Sequence, residues 1–279
     1  MNISSKSTIS QIRKSCTGIN LLLSDLNSIK SELWLASLLS EYEAKKIQIT
    51  AVTLRLERVE DVAWAMPALN WLSLHQRPVV IRSNIVIPRM FIESISKFQT
   101  VVVYELAHHK LDMQRALLSP LADGAASMLL QAQHFSQRRI PVAIQLGPLL
   151  PAIHDRPEQL RPLLQHIAAA DIEDIHLSFG RLTFERLQAL KQVLNREKLQ
   201  DLQRVFSVEQ GSMETSSGSW RLSRMARYAF FEHIKSLVEE QHLRMDHCGC
   251  AAFCHLLKPV QRHSLPSFQA SLFAEQTAS

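Results

Sequence analysis

Cysteine and histidine side chains are concentrated near the end of the chain, where the sequence reads His247-Cys248-Gly249-Cys250 and continues to Cys254-His255. Thiolate and imidazole groups are the ligands that zinc and iron–sulfur clusters take from proteins. The pattern C-x-C-x-x-x-C is not the C-x-x-C pair of most zinc sites, so incidental cysteines at a helix end are the alternative. The sequence predicts a metal site formed by Cys248, Cys250, Cys254 and His255, with His247 or His242 as alternatives for the fourth ligand.

A second group of polar side chains follows short apolar runs that are rich in β-branched residues. Arg82, Ser83 and Asn84 close one such run, and His108 and His109 follow another. Parallel β/α folds place their ligands at the carboxyl ends of the strands, so these positions are candidates for a binding site. Ordinary polar loop residues would give the same pattern, and this alternative stays open.

These runs alternate with stretches in which apolar residues recur at helical spacing. Such alternation predicts consecutive β/α units and a parallel sheet. We therefore predict an α/β fold, an incomplete parallel (β/α) barrel of about five units with flanking N- and C-terminal helices. The predicted strands are Ile47–Leu56, Val79–Arg82, Thr100–Leu106, Ile140–Leu146 and Ile175–Phe179.

The same pattern divides the chain into four regions. Residues 1–46 are predicted to form an N-terminal arm and a helix over Ile19–Lys45, and residues 47–197 to form the partial barrel. Residues 198–258 are predicted to form a C-terminal helical segment that carries the cysteines, and residues 259–279 to form a polar tail.

The composition excludes two common classes of nucleotide-binding protein. The 279 residues include seven glycines, and neither G-x-G-x-x-G nor G-x-x-x-x-G-K-[ST] occurs, so dinucleotide-binding and P-loop folds lose their main signature. No apolar run approaches the roughly 18 residues of a membrane span. The crowding of Cys248, Cys250 and Cys254 does not suit a disulfide framework. We therefore expect a cytoplasmic protein without a membrane contact.

The net charge of the chain does not identify the kind of molecule that it binds. The net charge is +5, which is compatible with nucleic acid as a partner. Arg221, Arg224 and Arg227 recur at three-residue spacing and could follow a row of phosphates. Lysine and arginine are otherwise spread along the chain, so a solvated surface of mixed charge is the alternative.

The stretch from Val79 to Leu182 resembles the radical SAM superfamily, in particular its spore photoproduct lyase-like branch. The resemblance lies in the order and spacing of three passages. Pro78–Asn84 is similar to the third core strand of that branch, and DIHLSFGRL, residues 174–182, is similar to the sixth. Between them, residues 101–155 follow the branch's order of strand, loop, helix and a strand that ends in a proline-rich loop.

The resemblance implies S-adenosylmethionine (SAM) and a [4Fe–4S] cluster as cofactors. The family is defined by C-x-x-x-C-x-x-C after its first strand, and this sequence has no such motif. The resemblance also implies six cofactor-binding residues at strand ends and in the following loops: Arg82, Ser83, Asn84, Gly147, Pro148 and Asp155.

These observations favour a divergent radical SAM-like protein that is degenerate or truncated. In this interpretation, a helix replaces the first strand and the cluster loop. The competing hypothesis is a non-catalytic interaction or scaffold protein that reuses the β/α fold, with a structural metal such as zinc at the C-terminal cysteines. The sequence does not decide whether the protein is an enzyme.

Overall fold

A computed structural model describes residues 9–14, 19–23, 32–95, 100–208, 212–215 and 218–245. The predicted metal ligands, Cys248, Cys250, Cys254 and His255, lie outside these residues. Within the described ranges, no helix is both long enough and apolar enough to cross a membrane.

Eight strands form one open sheet, in which their spatial order follows their order along the chain. The first two strands are antiparallel, and all other neighbouring pairs are parallel. A separate short hairpin is formed by β8 (Met213–Glu214) and β9 (Trp220–Arg221). The strands of the sheet are β1 (Ile9–Lys14), β2 (Ile19–Leu23), β3 (Ile49–Leu56), β4 (Val79–Ser83), β5 (Thr100–Leu106), β6 (Val142–Leu149), β7 (Asp174–Phe179) and β10 (Arg244–Met245).

Helices connect the strands, and most of them cover one face of the sheet. The helices are α1 (Glu32–Ala44), α2 (Val62–Leu74), α3 (Arg89–Ile95), α4 (Leu111–Leu117), α5 (Ala125–Gln137), α6 (Pro157–Ala169), α7 (Phe184–Lys191), α8 (Arg196–Val205) and α9 (Arg224–Glu239). Apolar residues of α1, α2, α3, α5, α6 and α9 share one buried core with alternate strand residues, which include Leu54, Ile81, Tyr104, Ile144 and Ile175. Because successive strand residues point to opposite faces, the residues between them lie on the face away from these helices.

The predicted architecture is confirmed. All five predicted strands are present, as β3 to β7, and each pairs in parallel with the next. The sheet has β1 and β10 as its edges, so the barrel is incomplete, as predicted.

The predicted helix over Ile19–Lys45 is wrong in its first part. Ile19–Leu23 is strand β2, which pairs in parallel with β3, and the helix that follows begins at Glu32. The expected replacement of the first strand by a helix is therefore also wrong. Leu21, Leu22 and Leu23 are all buried, and a short run that is apolar on both faces does not distinguish a strand from a helix by its periodicity.

A second apolar cluster lies at the carboxyl ends of β5, β6 and β7. It joins α4, α7 and α8 to the loops that leave these strands. Its buried members include Ala107, Met113, Leu117, Leu150, Ile153, Leu182, Leu190 and Leu202. This cluster fixes the loops at the end of the sheet where β/α folds bind ligands.

Candidate functional site

The face of the sheet away from the main helical layer, called here the inner face, becomes polar toward the carboxyl ends of the strands. Arg55, Arg82, Glu105, Gln145 and His176 come from five successive strands, β3 to β7, and alternate with residues of the helix-facing core. Arg82, Glu105 and Gln145 are buried. Buried charged groups persist only with partners, and these side chains pair with one another.

Glu105 is the centre of this network. Its Oε1 accepts a hydrogen bond from Arg82 Nη2 at 2.7 Å, and its Oε2 accepts one from Arg55 Nη2 at 2.9 Å. Gln145 donates from Nε2 to Glu105 Oε1 at 3.3 Å and accepts a hydrogen bond from Arg82. Arg55 also forms an ion pair with Glu57, with 3.1 Å between Nε and Oε1. The carboxylate of Glu105 raises the pKa of Arg55, so the arginine is held in its charged form.

The loop after β4 is fixed by hydrogen bonds from both sides. The Ser83 hydroxyl donates to the Ile85 carbonyl at 2.8 Å and accepts from the Ile85 N–H at 3.2 Å, so it is engaged in a turn. The backbone N–H of Asn84 donates to Leu56, and its carbonyl accepts from the Asp123 N–H at 2.9 Å. The Asn84 residue is 1% exposed, yet neither atom of its side-chain amide has a hydrogen-bond partner in the described part of the chain.

Two buried side chains fix the loop after β5, Gln114 by joining it to α4 and His154 by joining it to the loop after β6. Gln114 of α4 accepts hydrogen bonds at its Oε1 from the N–H groups of Ala107, at 2.8 Å, and His108, at 2.9 Å. His154 Nε2 lies 2.9 Å from the Ala107 carbonyl, and Nδ1 lies 3.0 Å from the Leu150 N–H nitrogen. A neutral His154 with its proton on Nε2 satisfies both contacts.

Three histidines meet at this end of the sheet. The ring of His108 is stacked on His109, with 4.4 Å between centroids, and its centroid is 6.4 Å from that of His154. His108 Nδ1 accepts a hydrogen bond from the Lys110 N–H at 3.0 Å. Its buried Nε2 has no hydrogen bond of normal geometry among the described residues, although Gln159 lies beside the ring. Burial lowers the pKa of His108 to about 3 and also lowers the pKa of His109 and His154. All three rings are therefore neutral at pH 7.

The loop after β6 depends on a glycine. Gly147 has a φ of +134°, and a Cβ there would lie 2.1 Å from the Ser178 carbonyl oxygen, so only glycine lets β6 approach β7 this closely. Pro148 lies against Gly180, where a Cβ would be 2.8 Å from the Pro148 Cβ. Asp155 accepts a hydrogen bond from His233 of α9 at its carbonyl, while its buried Oδ1 has no partner among the described residues.

All six residues predicted to bind a cofactor lie at the carboxyl end of the sheet. They occupy the ends of β4 and β6 and the loops that follow, with β5 between them: Arg82, Ser83, Asn84, Gly147, Pro148 and Asp155. Arg82 is part of the network on the inner face, whereas Ser83 and Gly147 have structural contacts of their own. Their binding of a cofactor stays a prediction.

The three arginines that could follow phosphates do not share one exposed helix face. Arg224 is exposed, but Arg227 is 8% exposed and Arg221 lies before the helix, in β9. A pattern of charge at helical spacing does not show which of the charged residues the fold buries.

Sequence reasoning did not identify Gln145, Gln114 or His154 as site residues. Gln145 had a signal in the sequence, because it is the polar residue inside the apolar run Val142–Leu146. Gln114 and His154 had none, since each acquires its role from a backbone group that only the tertiary structure brings to it.

The described residues at this end of the sheet do not fit a [4Fe–4S] cluster. The radical SAM family binds the cluster through three thiolates of the loop after its first strand. Here the first parallel strand is β2, and residues 24–31, which follow it, read SDLNSIKS without a cysteine. In the described part of the chain, no group of three or more histidine, cysteine, aspartate or glutamate side chains could hold a metal ion.

Comparison with solved structures shows a similarity of fold. The structure of Streptococcus suis SuiB bound to S-adenosylmethionine matches with a TM-score of 0.50 and 10% identity, over 78% of this chain and 44% of SuiB. A second SuiB structure matches with a TM-score of 0.49 and 10% identity, over 83% of this chain and 46% of SuiB. No protein-family model matches the sequence, and no curated protein matches it. The chain therefore spans less than half of SuiB, and the similarity to SuiB is one of fold.

Proposed function

We propose that this chain is a divergent radical SAM-like protein, related to the spore photoproduct lyase-like branch, that binds a small polar ligand such as SAM without generating a radical from it. The observation that carries the proposal is the segment after β2. In this proposal β2 corresponds to the strand that precedes the cluster loop of the family, and residues 24–31, which follow β2, include no cysteine. The polar inner face is nevertheless present at the same end of the sheet.

The side chains at this end suit a polar organic ligand. Asn84 and Asp155 have buried polar atoms with no partner in the described part of the chain, which is the condition in which a ligand gains hydrogen bonds. Arg55, on the neighbouring strand β3, is half-buried, so its guanidinium N–H groups are open to a polar ligand while its charge is balanced by Glu57 and Glu105. SAM, to which SuiB is bound in its structure, carries amino, carboxylate, hydroxyl and purine groups that such residues can hold.

We also propose a structural zinc ion at Cys248, Cys250, Cys254 and His255. The spacing of the four residues within one short segment supports this proposal. Zinc bound there would act on stability, because a ligand that binds the folded state shifts the folding equilibrium toward it.

Two measurements test the main proposal. The first is anaerobic reconstitution of the purified chain with iron and sulfide, followed by reduction with dithionite and an assay for 5′-deoxyadenosine from SAM. The second is calorimetric titration of SAM into the chain without reductant. We expect binding in the titration and no product in the assay.

A matched variant tests whether the C-terminal cysteines supply the thiolates of a cluster. In a triple variant, Cys248→Ser, Cys250→Ser and Cys254→Ser, we expect the same absence of product. Robust 5′-deoxyadenosine formation by the native chain would overturn the proposal, and its loss in the triple variant would place a cluster on the C-terminal cysteines. If SAM does not bind, the SAM proposal fails and the interaction-protein hypothesis is favoured.

A further inference from the structure

One row of polar residues crosses the carboxyl end of the sheet at a single level. Gln145 is paired in register with both Glu105 and His176. The pairing of β3 with β4 ends at Leu56 and Ser83, and that of β4 with β5 ends at Ser83 and Tyr104, so Glu57 and Asn84, the first residues beyond β3 and β4, follow at the level of Glu105. The N–H of Asn84 donates to the Leu56 carbonyl, which continues the contact between the two strands by one residue. The row therefore consists of Glu57, Asn84, Glu105, Gln145 and His176.

Within this row, Asn84 alone has no partner for its side chain among the described residues. Glu105 and Gln145 bind each other, and Arg55 binds Glu57 and Glu105. His176 has a partner of its own. The oxygen and the nitrogen of the Asn84 amide are both buried and both without one.

Backbone hydrogen bonds hold Asn84 in place, so its side-chain amide cannot move to a partner within the described residues. Its N–H is bonded to Leu56 and its carbonyl to Asp123, and the next residue, Ile85, is held by Ser83. Asp123 itself is fixed, because its Oδ2 accepts a hydrogen bond from the Val86 N–H at 2.7 Å. An amide that is held in place, buried and unpaired costs stability, which points to a partner outside the chain.

The charges around Asn84 indicate the kind of partner. Arg55 and Arg82 face Glu57 and Glu105, so two positive charges offset two negative ones and leave the row without a strong field for an anion. The Asn84 amide offers one hydrogen-bond acceptor beside one donor group. Its complement is an uncharged edge that has a donor beside an acceptor, as in a carboxamide or the amino edge of adenine.

We propose that Asn84 is the specificity-determining residue of this end of the sheet and binds the donor–acceptor edge of a carboxamide or an adenine ring. This inference rests on the proposed ligand site, and it adds the chemical class of the group that is bound there. An inorganic phosphate is not a ligand for this position, because it offers no donor–acceptor edge and meets no net positive charge.

Calorimetric titration with four probes tests the proposal: SAM, adenosine, nicotinamide and inorganic phosphate. Adenosine represents the adenine edge and nicotinamide the carboxamide. The variants are Asn84→Leu, which has a similar size and no polar atoms, and Asn84→Asp, which keeps the acceptors and loses the donor. Arg161→Gln, at an exposed ion pair on α6, is the control.

We expect adenosine or nicotinamide to bind the native chain, and phosphate not to bind. Each Asn84 variant should weaken the binding at least tenfold, while Arg161→Gln leaves it unchanged. Asn84→Leu should also raise the midpoint of denaturation, because it removes an unpaired buried amide. If one Asn84 variant does not fold, the tenfold loss of binding in the other Asn84 variant tests the proposal.

Two results would overturn the inference. The first is binding of both edge probes that is the same in the native chain and the Asn84 variants, and the second is the absence of binding by both probes. A lower midpoint in Asn84→Leu with unchanged binding would show that the amide holds a buried water only. These results differ from a failure of the proposed function, which is detected by formation of 5′-deoxyadenosine under reducing conditions or by the absence of binding of SAM itself.

Discussion

Glu105 connects two arginines from different strands, and its removal tests the inner-face network. The Glu105→Gln variant keeps the size of the side chain but leaves Arg55 and Arg82 without their shared negative charge. Breaking a buried ion pair by removing one partner costs about 3–5 kcal/mol, because the other charge stays buried. We expect a loss of this size in the free energy of unfolding, measured by urea denaturation at pH 7.

An exposed pair provides the control for this prediction. Arg161 and Glu240 are 2.9 Å apart, but their side chains are 46% and 47% exposed. Exposed pairs contribute about 0–1 kcal/mol, so Glu240→Gln should change the free energy of unfolding by less than about 1 kcal/mol. Equal losses in Glu105→Gln and Glu240→Gln would contradict the view that Glu105 balances buried charges.

Gly147 is the second residue whose replacement has a defined result. A Cβ at this position would collide with the Ser178 carbonyl, and its φ of +134° is unsuited to alanine. We expect Gly147→Ala to lower the free energy of unfolding by about 3 kcal/mol or more, since steric and conformational strain add. Thermal and urea denaturation measure this loss.

Gly124 is the matched glycine for that experiment. It precedes α5 with a φ of −68°, and a Cβ there would meet no atom within 4 Å. Gly124→Ala should therefore cost no more than about 1 kcal/mol, as for other changes at an N-cap. A similar cost at both glycines would show that the contact between β6 and β7 does not require glycine.

At the scale of elements, the sequence predicts strands β3 to β7 well because their runs are β-branched and the intervening helices are amphipathic. β2 was missed since Leu21, Leu22 and Leu23 are apolar without alternation and lie close to a leucine-rich helix. Its pairing with β3 is a tertiary contact, which local periodicity does not contain.

The candidate site is predictable only where position along a strand decides it. Arg82 and Asn84 are predicted as candidate site residues because they come at the end of β4, and their binding of a ligand stays a prediction. The pairing of Glu105 with two arginines, and of His154 with Ala107, was not predictable because these contacts join residues far apart in the sequence. Binding sites of parallel sheets are assembled from several loops, so sequence order gives their location more readily than their contacts.

The histidines that join the ends of β5 and β6 make these elements sensitive to acid. The pKa of His108 is about 3 in the folded chain, below the ordinary value of 6.5, because the ring is buried. The unfolded chain therefore binds more protons below pH 6.5, and stability falls as the pH falls from about 6.5 toward 3. One such group contributes a slope of up to about 1.4 kcal/mol per pH unit.

The variant His108→Asn tests this slope. Asparagine does not titrate, and its Oδ1 can replace Nδ1 as the acceptor for the Lys110 N–H. We expect the loss of unfolding free energy between pH 6.5 and pH 4 to be smaller in the variant than in the native chain, with the values at pH 8 as reference. Parallel pH profiles for the two proteins would show that His108 does not cause the acid sensitivity.

At the scale of the whole molecule, the two apolar clusters stabilise different parts of the fold. The larger cluster joins the sheet to the helices on one face and accounts for most of the buried residues. The smaller cluster, of α4, α7 and α8, holds the loops that follow β5, β6 and β7. The polar inner face reaches the same end of the sheet, so the candidate ligand-binding residues are supported by packed elements and not by isolated loops.

Zinc at the C-terminal cysteines is the prediction that concerns the chain beyond its sheet. We expect purified native protein to contain about one equivalent of zinc, since one structural site holds one ion. Cys250→Ser should lose the metal because it removes one thiolate, whereas Cys16→Ser, far away in the sequence, should retain it. Elemental analysis measures zinc in all three proteins, and denaturation with and without a chelator measures its effect on stability. Equal zinc content in the native protein and Cys250→Ser would show that these cysteines are not zinc ligands.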